Sequence, residues 1–490
     1  MTTDYSRGLL LGATAADTTQ SGLLKRLENT RVHVTAEPAV PAVAVALTIL
    51  IGNLRRLPIT ISLDPTGLDE ATIADLTEIT LGIDPDKPIE LTTVPAGLSI
   101  HLGPHPPPSA AISATPDGHG VRLRKAGASY PALRASGTGL GSMMAAATLT
   151  AEIFKTIMGL KPGAYRRLDR LDFCPVTLTA EPGAVTTTIT ELPSLALVGA
   201  GAVGTAIAAT LDVLGTVGQI IVVDPETYDA PNVTTYSLGN RTDARNQIPK
   251  VDLLARELTR AGRFEVLPLK GTAQDLITGI DQGYLRWPAV VLSGVDSINA
   301  RHETQRIHAD LTLDGSTGGH AGTTLALHEA LPTGPCLRCY YPPHTAPAVP
   351  SAETLLHQRT GLPLPRIAKG DSPLTQADLD ALPSTSRALL RPHLGKPVCG
   401  LSNLLALSPS ATDGYRPSAA FVAQQAASLV IGALIARTTA KAVSPPRHIE
   451  YDARFGPNEA MADDRKPRPG CDCQTDQGLI QQIRRRRAAP

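Results

Sequence analysis

The sequence predicts an α/β protein with a mostly parallel sheet, preceded by a second α/β half. Three observations predict it. After Pro193 apolar strand and helix patterns alternate regularly, as strand–crossover helix–strand units require. A glycine-rich turn, Gly199-Ala-Gly201-Ala-Val-Gly204, stands between an apolar strand and an apolar helix. The composition, 42% apolar and 18% charged over 490 residues, suffices for a sizeable core, and the length for two or three compact units.

In the first half, Val32–Ala36, Ile59–Leu63, Ile89–Val94 and Leu98–Leu102 read as strands. Asp69–Thr80 carries Ile73, Leu76 and Ile79 at helical spacing, and Pro104, Pro106, Pro107 and Pro108 mark a loop. Gly139–Leu160 is a long apolar helix suited to a core. In the second half the expected order is strand Leu195–Val198, helix Ala202–Leu214, strand Gln219–Val223, helix Pro249–Ala261 and strand Phe264–Leu267. Strand Ala289–Leu292 and helix Ile298–Ala309 come next. Thr345–Lys396 is interrupted by prolines and reads as an insertion, Ser418–Arg437 as another apolar helix, and Ile480–Pro490, with four consecutive arginines, as a solvated tail.

Forty-five basic residues balance 45 acidic ones, so no global field draws the chain to nucleic acid or to a membrane. The apolar run Leu429–Ala436 is far shorter than the roughly 20 residues that span a bilayer. The N-terminal residues show no basic region followed by an apolar one, and six cysteines are too few for a disulfide scaffold. These features predict a cytoplasmic protein.

Glycine at 199, 201 and 204 permits a tight turn and close backbone approach to a phosphate, and the adjoining helix offers its free N–H groups to the anion. Asp224, at the end of the next strand, is placed to bond ribose hydroxyls. To this point a dinucleotide fits equally well.

The residues downstream of Asp224 discriminate. Asp224-Pro-Glu226-Thr-Tyr-Asp-Ala-Pro-Asn232-Val-Thr-Thr235 and Gln247-Ile-Pro249-Lys250 resemble the ubiquitin-activating-enzyme superfamily that includes ThiF and MoeB. There an Asp-x-Asp is succeeded by Asn-Leu-x-Arg-Gln and by a Pro-Lys that opens a helix. Ser293-Gly-Val-Asp296-Ser-Ile-Asn299-Ala-Arg301, the run from Asp314 to Gly322, and Cys336-Leu-Arg-Cys339 are similar to later family motifs, in family order. The resemblance implies a Rossmann-like ThiF/MoeB adenylation domain that uses ATP to adenylate the C-terminal carboxylate of a protein. Gly199, Gly201, Gly204, Asp224, Glu226 and Asn232 would hold the nucleotide. Lys250 would supply positive charge to the triphosphate, and Asp296 would carry Mg²⁺. Thr235 stands where the family has a phosphate-binding arginine, with Arg241 or Arg245 as substitutes.

Tyr5-Ser6-Arg7 is similar to the opening of many family members, in which the arginine reaches from one half of a pseudo-dimer toward ATP in the other. Residues 1–190 are then a degenerate, inactive adenylation-like half, or else an unrelated substrate-recruiting domain. Residues 191–345 form the active adenylation domain, 346–400 a crossover with the catalytic-cysteine region, 401–478 the closing helix and zinc segment, and 479–490 a basic tail. Cys336, Cys339, Cys471 and Cys473 would supply four thiolates to a structural Zn²⁺, or remain free thiols. Cys399 lies where thioester-forming family members carry their nucleophile; a buried apolar cysteine is the alternative. Cys174 lies outside every motif.

The expected partner is a ubiquitin-like or sulfur-carrier protein ending in glycine, with a downstream conjugating or sulfurtransferase protein, in an internal pseudo-dimer or a homodimer. Alternatives are a peptide-adenylating enzyme of natural-product maturation, an NAD-dependent oxidoreductase, and a catalytically dead nucleotide-binding subunit.

Overall fold

A computed structural model of the chain describes all residues except 1–2, 17, 319–321, 333, 344–351, 368–372, 397, 399–400, 402–417, 440–442 and 489–490. The first half runs α1 (Ser6–Ala16), α2 (Gln20–Glu28), β1 (Arg31–Ala36), α3 (Pro41–Arg55), β2 (Thr60–Leu63), α4 (Glu70–Ile83), β3 (Glu90–Leu91), β4 (Leu98–Leu102), β5 (Ile112–Asp117), β6 (Gly120–Lys125), α5 (Gly139–Ile157) and β7 (Arg170–Phe173). Local chemistry sets the boundaries. Pro41 opens α3, where its missing N–H is not needed. Asp69 caps α4 by accepting from the Thr72 N–H at 2.7 Å, and Thr138 caps α5.

The second half runs β8 (Leu195–Val198), α6 (Ala202–Leu214), β9 (Gly218–Val223), α7 (Arg241–Arg245), α8 (Lys250–Thr259), β10 (Phe264–Leu269), α9 (Ala273–Asp281), β11 (Val290–Ser293), α10 (Ile298–Gln305), β12 (Leu311–Gly318), β13 (Thr324–Ala330) and α11 (Leu337–Tyr340). A separate compact unit spans Pro343–Pro417. It contains α12 (Ala352–Thr360), α13 (Leu364–Ile367), α14 (Gln376–Asp380) and α15 (Ser384–Leu390), around its own core of Leu356, Leu379, Leu390 and their neighbours. The chain then returns to the main unit with α16 (Ala420–Thr438), β14 (His448–Asp452), β15 (Met461–Asp463), α17 (Asp472–Thr475) and α18 (Gln477–Ala488).

The two halves repeat one topology. The first sheet has strand order β3-β2-β1-β4-β5-β6-β7 and the second β10-β9-β8-β11-β12-β13-β14-β15. Each is parallel through its first five strands and antiparallel beyond. The first half passes directly from β3 to β4 and from β4 to β5, where the second inserts α9 and α10. Helices α3, α5, α6 and α16 pack together between the halves. Small residues let them approach: a Cβ on Gly139 would lie 1.9 Å from the Val213 carbonyl oxygen. Polar contacts also cross this layer. The amides of Asn53 and Gln424 exchange two hydrogen bonds, of 2.7 and 2.9 Å. Buried carboxamides that satisfy each other fix the relative position of α3 and α16.

Three expectations need correction. The strand expected at Ile89–Val94 is only β3, two residues long, and helix α10 ends at Gln305 rather than Ala309. Helix α16 is long and apolar enough to cross a membrane by composition, yet 94% of its most apolar window is buried within the protein. The expected tail is solvated, with no buried residue, but it is helical, as α18. Arg486 and Arg487 pair with Asp281 and Arg484 with Asp310, because these carboxylates, remote in sequence, lie beneath the arginine run.

Candidate functional site: a glycine turn beneath a buried lysine

Strand β8 is wholly buried, and the chain leaves it through Gly199 at φ +91°, a conformation that side chains disfavour. A Cβ on Gly204 would lie 1.9 Å from the Gly199 carbonyl oxygen, and one on Gly199 would lie 2.9 Å from the Val295 nitrogen. The turn therefore accepts only glycine at both ends. It also presses against the segment after β11, two residues before Asp296. Gly201 is the N-cap of α6 and supplies no side-chain cap to the first N–H groups of the helix.

Asp224 directly follows β9 and is 7% exposed. Its carboxylate accepts from the Ala200 N–H at 2.7 Å and from the Glu226 N–H at 2.8 Å. The aspartate expected at the ribose thus also holds the glycine turn in shape. Burial raises its pKa, and the Lys250 ammonium and the two N–H bonds offset only part of that.

Lys250 opens α8 after Pro249 and is 4% exposed. Its ammonium pairs with Glu226 and lies 5.2 Å from the centroid of the Tyr236 ring. Burial pulls the Lys250 pKa down, but Tyr236, Asp224 and Glu226 outweigh it and hold the amine above the usual lysine value. A lysine kept charged beside a helix N-terminus adds a fixed positive potential to the turn.

Arg7, on α1, lies within electrostatic reach of Tyr236. The N-terminal segment is tied to this loop, since the Thr234 hydroxyl donates to the Asp4 carbonyl at 2.6 Å and the Tyr5 hydroxyl to Asp84. Arg56, at the end of α3, donates from Nε to the Tyr236 carbonyl at 2.6 Å and from a terminal nitrogen to that of Ser237 at 3.1 Å. The first half therefore contributes two arginines to the loop that carries Tyr236.

Asn232 is used differently from the expectation: its side chain accepts from the Asp229 N–H at 2.9 Å and closes a capping box. Thr235 is fully buried and donates to the Pro231 carbonyl at 3.0 Å, so its hydroxyl does not replace the absent arginine. Arg245 is exposed on the short helix α7. Asp296 is exposed beyond β11 and faces Arg301 electrostatically. Behind it lies a buried network in which Asp314 accepts from Ser293 at 2.6 Å, Arg301 at 3.1 Å and Tyr341 at 3.0 Å. Arg301 is thus a buried structural partner, and the Asp314 carboxyl stays below the usual range because Arg301, His328 and Ser293 outweigh the burial that would raise it. The sequence alone does not single out Tyr236 or Arg56. The signal for the first is its place one residue after the missing arginine.

Away from the turn, the sulfurs of Cys336, Cys339, Cys471 and Cys473 lie within 4.8 Å of one another. Cys336 is 3.5 Å from Cys471 and 3.8 Å from Cys339, and Cys339 is 3.5 Å from Cys473. Four thiolates about 2.3 Å from a tetrahedral zinc would be about 3.8 Å apart, whereas a disulfide needs about 2.05 Å. The cluster could therefore bind a metal such as zinc. The Cys-x-Cys spacing suffices because Cys471 caps and Cys473 lies within the tight turn of α17. Cys174 is buried apart from these four, and Cys399 lies outside the described residues.

In the first half the chain leaves β1 through Glu37-Pro-Ala-Val-Pro41 in place of glycines. The Glu37 carboxylate accepts from the His105 N–H at 2.6 Å and bonds the rings of His105 at 2.8 Å and His101 at 3.1 Å. A Cβ on Gly103 would lie 2.3 Å from this carboxylate, so an acid fills the place that the glycine turn leaves open in the other half.

Comparison with curated proteins gives no match. Among solved structures, E. coli MccB with MccA-N7isoASN is 13% identical, with a TM-score of 0.36 over 58% of this chain and 67% of that one. The microcin C7 biosynthetic enzyme MccB in complex with N-formylated MccA gives the same figures, 13%, 0.36, 58% and 67%. E. coli MccB with ATP is 14% identical, with a TM-score of 0.35 over 58% and 67%. The ThiF family matches residues 183–473, more than half of the chain and all of the segment from β8 to the cysteine cluster. The chain belongs to the ThiF family, within the ubiquitin-activating-enzyme-like adenylyltransferase superfamily that its motifs resemble.

Proposed function

We propose that the protein uses ATP to adenylate the C-terminal carboxylate of a peptide or protein. One observation carries this: a glycine turn at a helix N-terminus and a buried, charged lysine converge within a ThiF-family fold. Such an arrangement suits an anion with several charges better than a nicotinamide, which needs neither Lys250 nor Asp296. In the reaction, a carboxylate oxygen attacks the α-phosphorus, the bond to the bridging oxygen breaks, and pyrophosphate leaves with that electron pair. The free N–H groups of α6 and the Lys250 ammonium stabilise the charge on the phosphates, and Arg7 approaches from the first half. Asp296, an exposed carboxylate beside the turn, is the donor that would hold Mg²⁺, which offsets phosphate charge when bound. Zn²⁺ on the four cysteines would tie the C-terminal segment to the core and take no part in the chemistry.

The finer reading takes a ubiquitin-like or sulfur-carrier protein ending in glycine as the substrate, in the cytoplasm, with transfer to Cys399 as a thioester. The acid-filled turn at Glu37 supports reading the first half as a copy that does not take nucleotide: a carboxylate there repels phosphate.

The test is ATP–pyrophosphate exchange with candidate carriers and with short peptides. Exchange that depends on a free C-terminal carboxylate supports the proposal. NAD binding without exchange contradicts it. A reducible protein–carrier adduct, lost in Cys399→Ala while exchange persists, would establish the thioester, and an adduct that survives the substitution removes Cys399 from the path.

A further inference from the structure

We propose that the Tyr236 hydroxyl is a phosphate-binding group, standing in for the arginine that Thr235 cannot supply. This rests on the reading of the glycine turn as the ATP site and names a residue of that site. Tyr236 is 5% exposed, and its ring is held edge-on against Tyr228 at 5.8 Å between centroids. Its backbone is fixed from the other half by Arg56. The hydroxyl therefore has a set position, and that position is at the turn: a Cβ built on Gly201 would lie 3.7 Å from the hydroxyl oxygen. A side chain at residue 201 would occupy the space between phenol and backbone, and its absence leaves that space to a ligand.

The hydrogen-bond count points the same way. The Lys250 ammonium sits 5.2 Å from the centroid of the ring, and an ammonium only donates, so it cannot take the phenol's proton. A buried phenol usually has a partner for that proton. Phosphate oxygens resting on the N-terminus of α6 would be that partner, between the Tyr236 hydroxyl and the Lys250 ammonium. Arg7, also within reach of the phenol, would complete the cationic surround. The family arrangement puts a guanidinium on this loop. Here the loop supplies a neutral donor, and the positive charge comes from α8 and from the first half.

The experiment measures the affinity of MgATP and of adenosine, by calorimetry, for the intact protein and for Tyr236→Phe. That substitution removes one oxygen and keeps the ring contacts with Tyr228 and Lys250. MgATP affinity is expected to fall about tenfold while adenosine affinity changes less than twofold. Unchanged MgATP affinity in Tyr236→Phe overturns the proposal. So does an equal loss for ATP and adenosine, which would mark Tyr236 as a merely structural residue. If the unaltered protein itself binds no MgATP, the nucleotide reading fails first and this proposal with it.

Discussion

Replacing Lys250 by Met removes the charge at the centre of the site while keeping a chain of similar length. Lys250 has a side-chain exposure of 5%, whereas its partner Glu226 is 67% exposed and returns to water at little cost. Asp224 does not. At 7% exposure it loses its nearest cation and keeps only the Ala200 and Glu226 N–H groups. Breaking a buried pair by removing one partner costs about 3–5 kcal/mol, and the two remaining N–H bonds place this case lower, at about 2–3 kcal/mol. The amine is held above its ordinary pKa, so its contribution is complete below the usual lysine value and fades only as pH rises past it. Urea unfolding should therefore show the same deficit at pH 6 and at pH 9, with an unchanged m-value. MgATP affinity should fall by about 10- to 100-fold, the range for a hydrogen bond to a charged group. Stability within about 0.5 kcal/mol of the parent, together with ATP affinity within twofold, would refute the placement of this lysine.

Three other perturbations have defined outcomes. Gly204→Ala would set a Cβ 1.9 Å from the Gly199 carbonyl oxygen, so the turn must move; thermal unfolding should show a loss of about 1–3 kcal/mol, and calorimetry should show no ATP binding. Elemental analysis should find about one zinc per chain, and Cys336→Ser or a strong chelator should lower both zinc content and melting temperature. His308 is held down to about 4 by burial and by Arg487, Arg484 and Arg306. Because the unfolded imidazole titrates near 6.5, stability is complete above that pH and is lost as pH falls toward 4, by about 2–3 kcal/mol in all. Hydrogen exchange should show α18 loosening first over that window, while a flat profile from pH 7 to pH 4 would contradict the placement of the three arginines.

Legibility in the sequence depends on how local the governing chemistry is. Ala202–Leu214 is bounded as expected, because Gly201 and Gly215 stop an alanine-rich helix at both ends. Strands β5, β6 and β7 are not legible. Their outward positions, Asp117, Arg122, Arg124 and Asp172, are buried as a chain of ion pairs, so apolar alternation is masked by charges that find partners only in three dimensions. At the site, the glycines and Asp224 can be located from spacing, and Lys250 from the family resemblance of its Pro-Lys pair. That Asp224 also braces the turn, that Asn232 closes a capping box, and that Tyr236 faces Gly201 depend on loop geometry that no local pattern encodes.

The most direct measurement is a crystal structure of the full chain with Mg²⁺ and a non-hydrolysable ATP analogue. The account predicts phosphate density at the N-terminus of α6, within hydrogen-bond distance of Lys250 and the Tyr236 hydroxyl, with the metal at Asp296. A nucleotide bound elsewhere, or a triphosphate that leaves Lys250 paired only with Glu226, would contradict it.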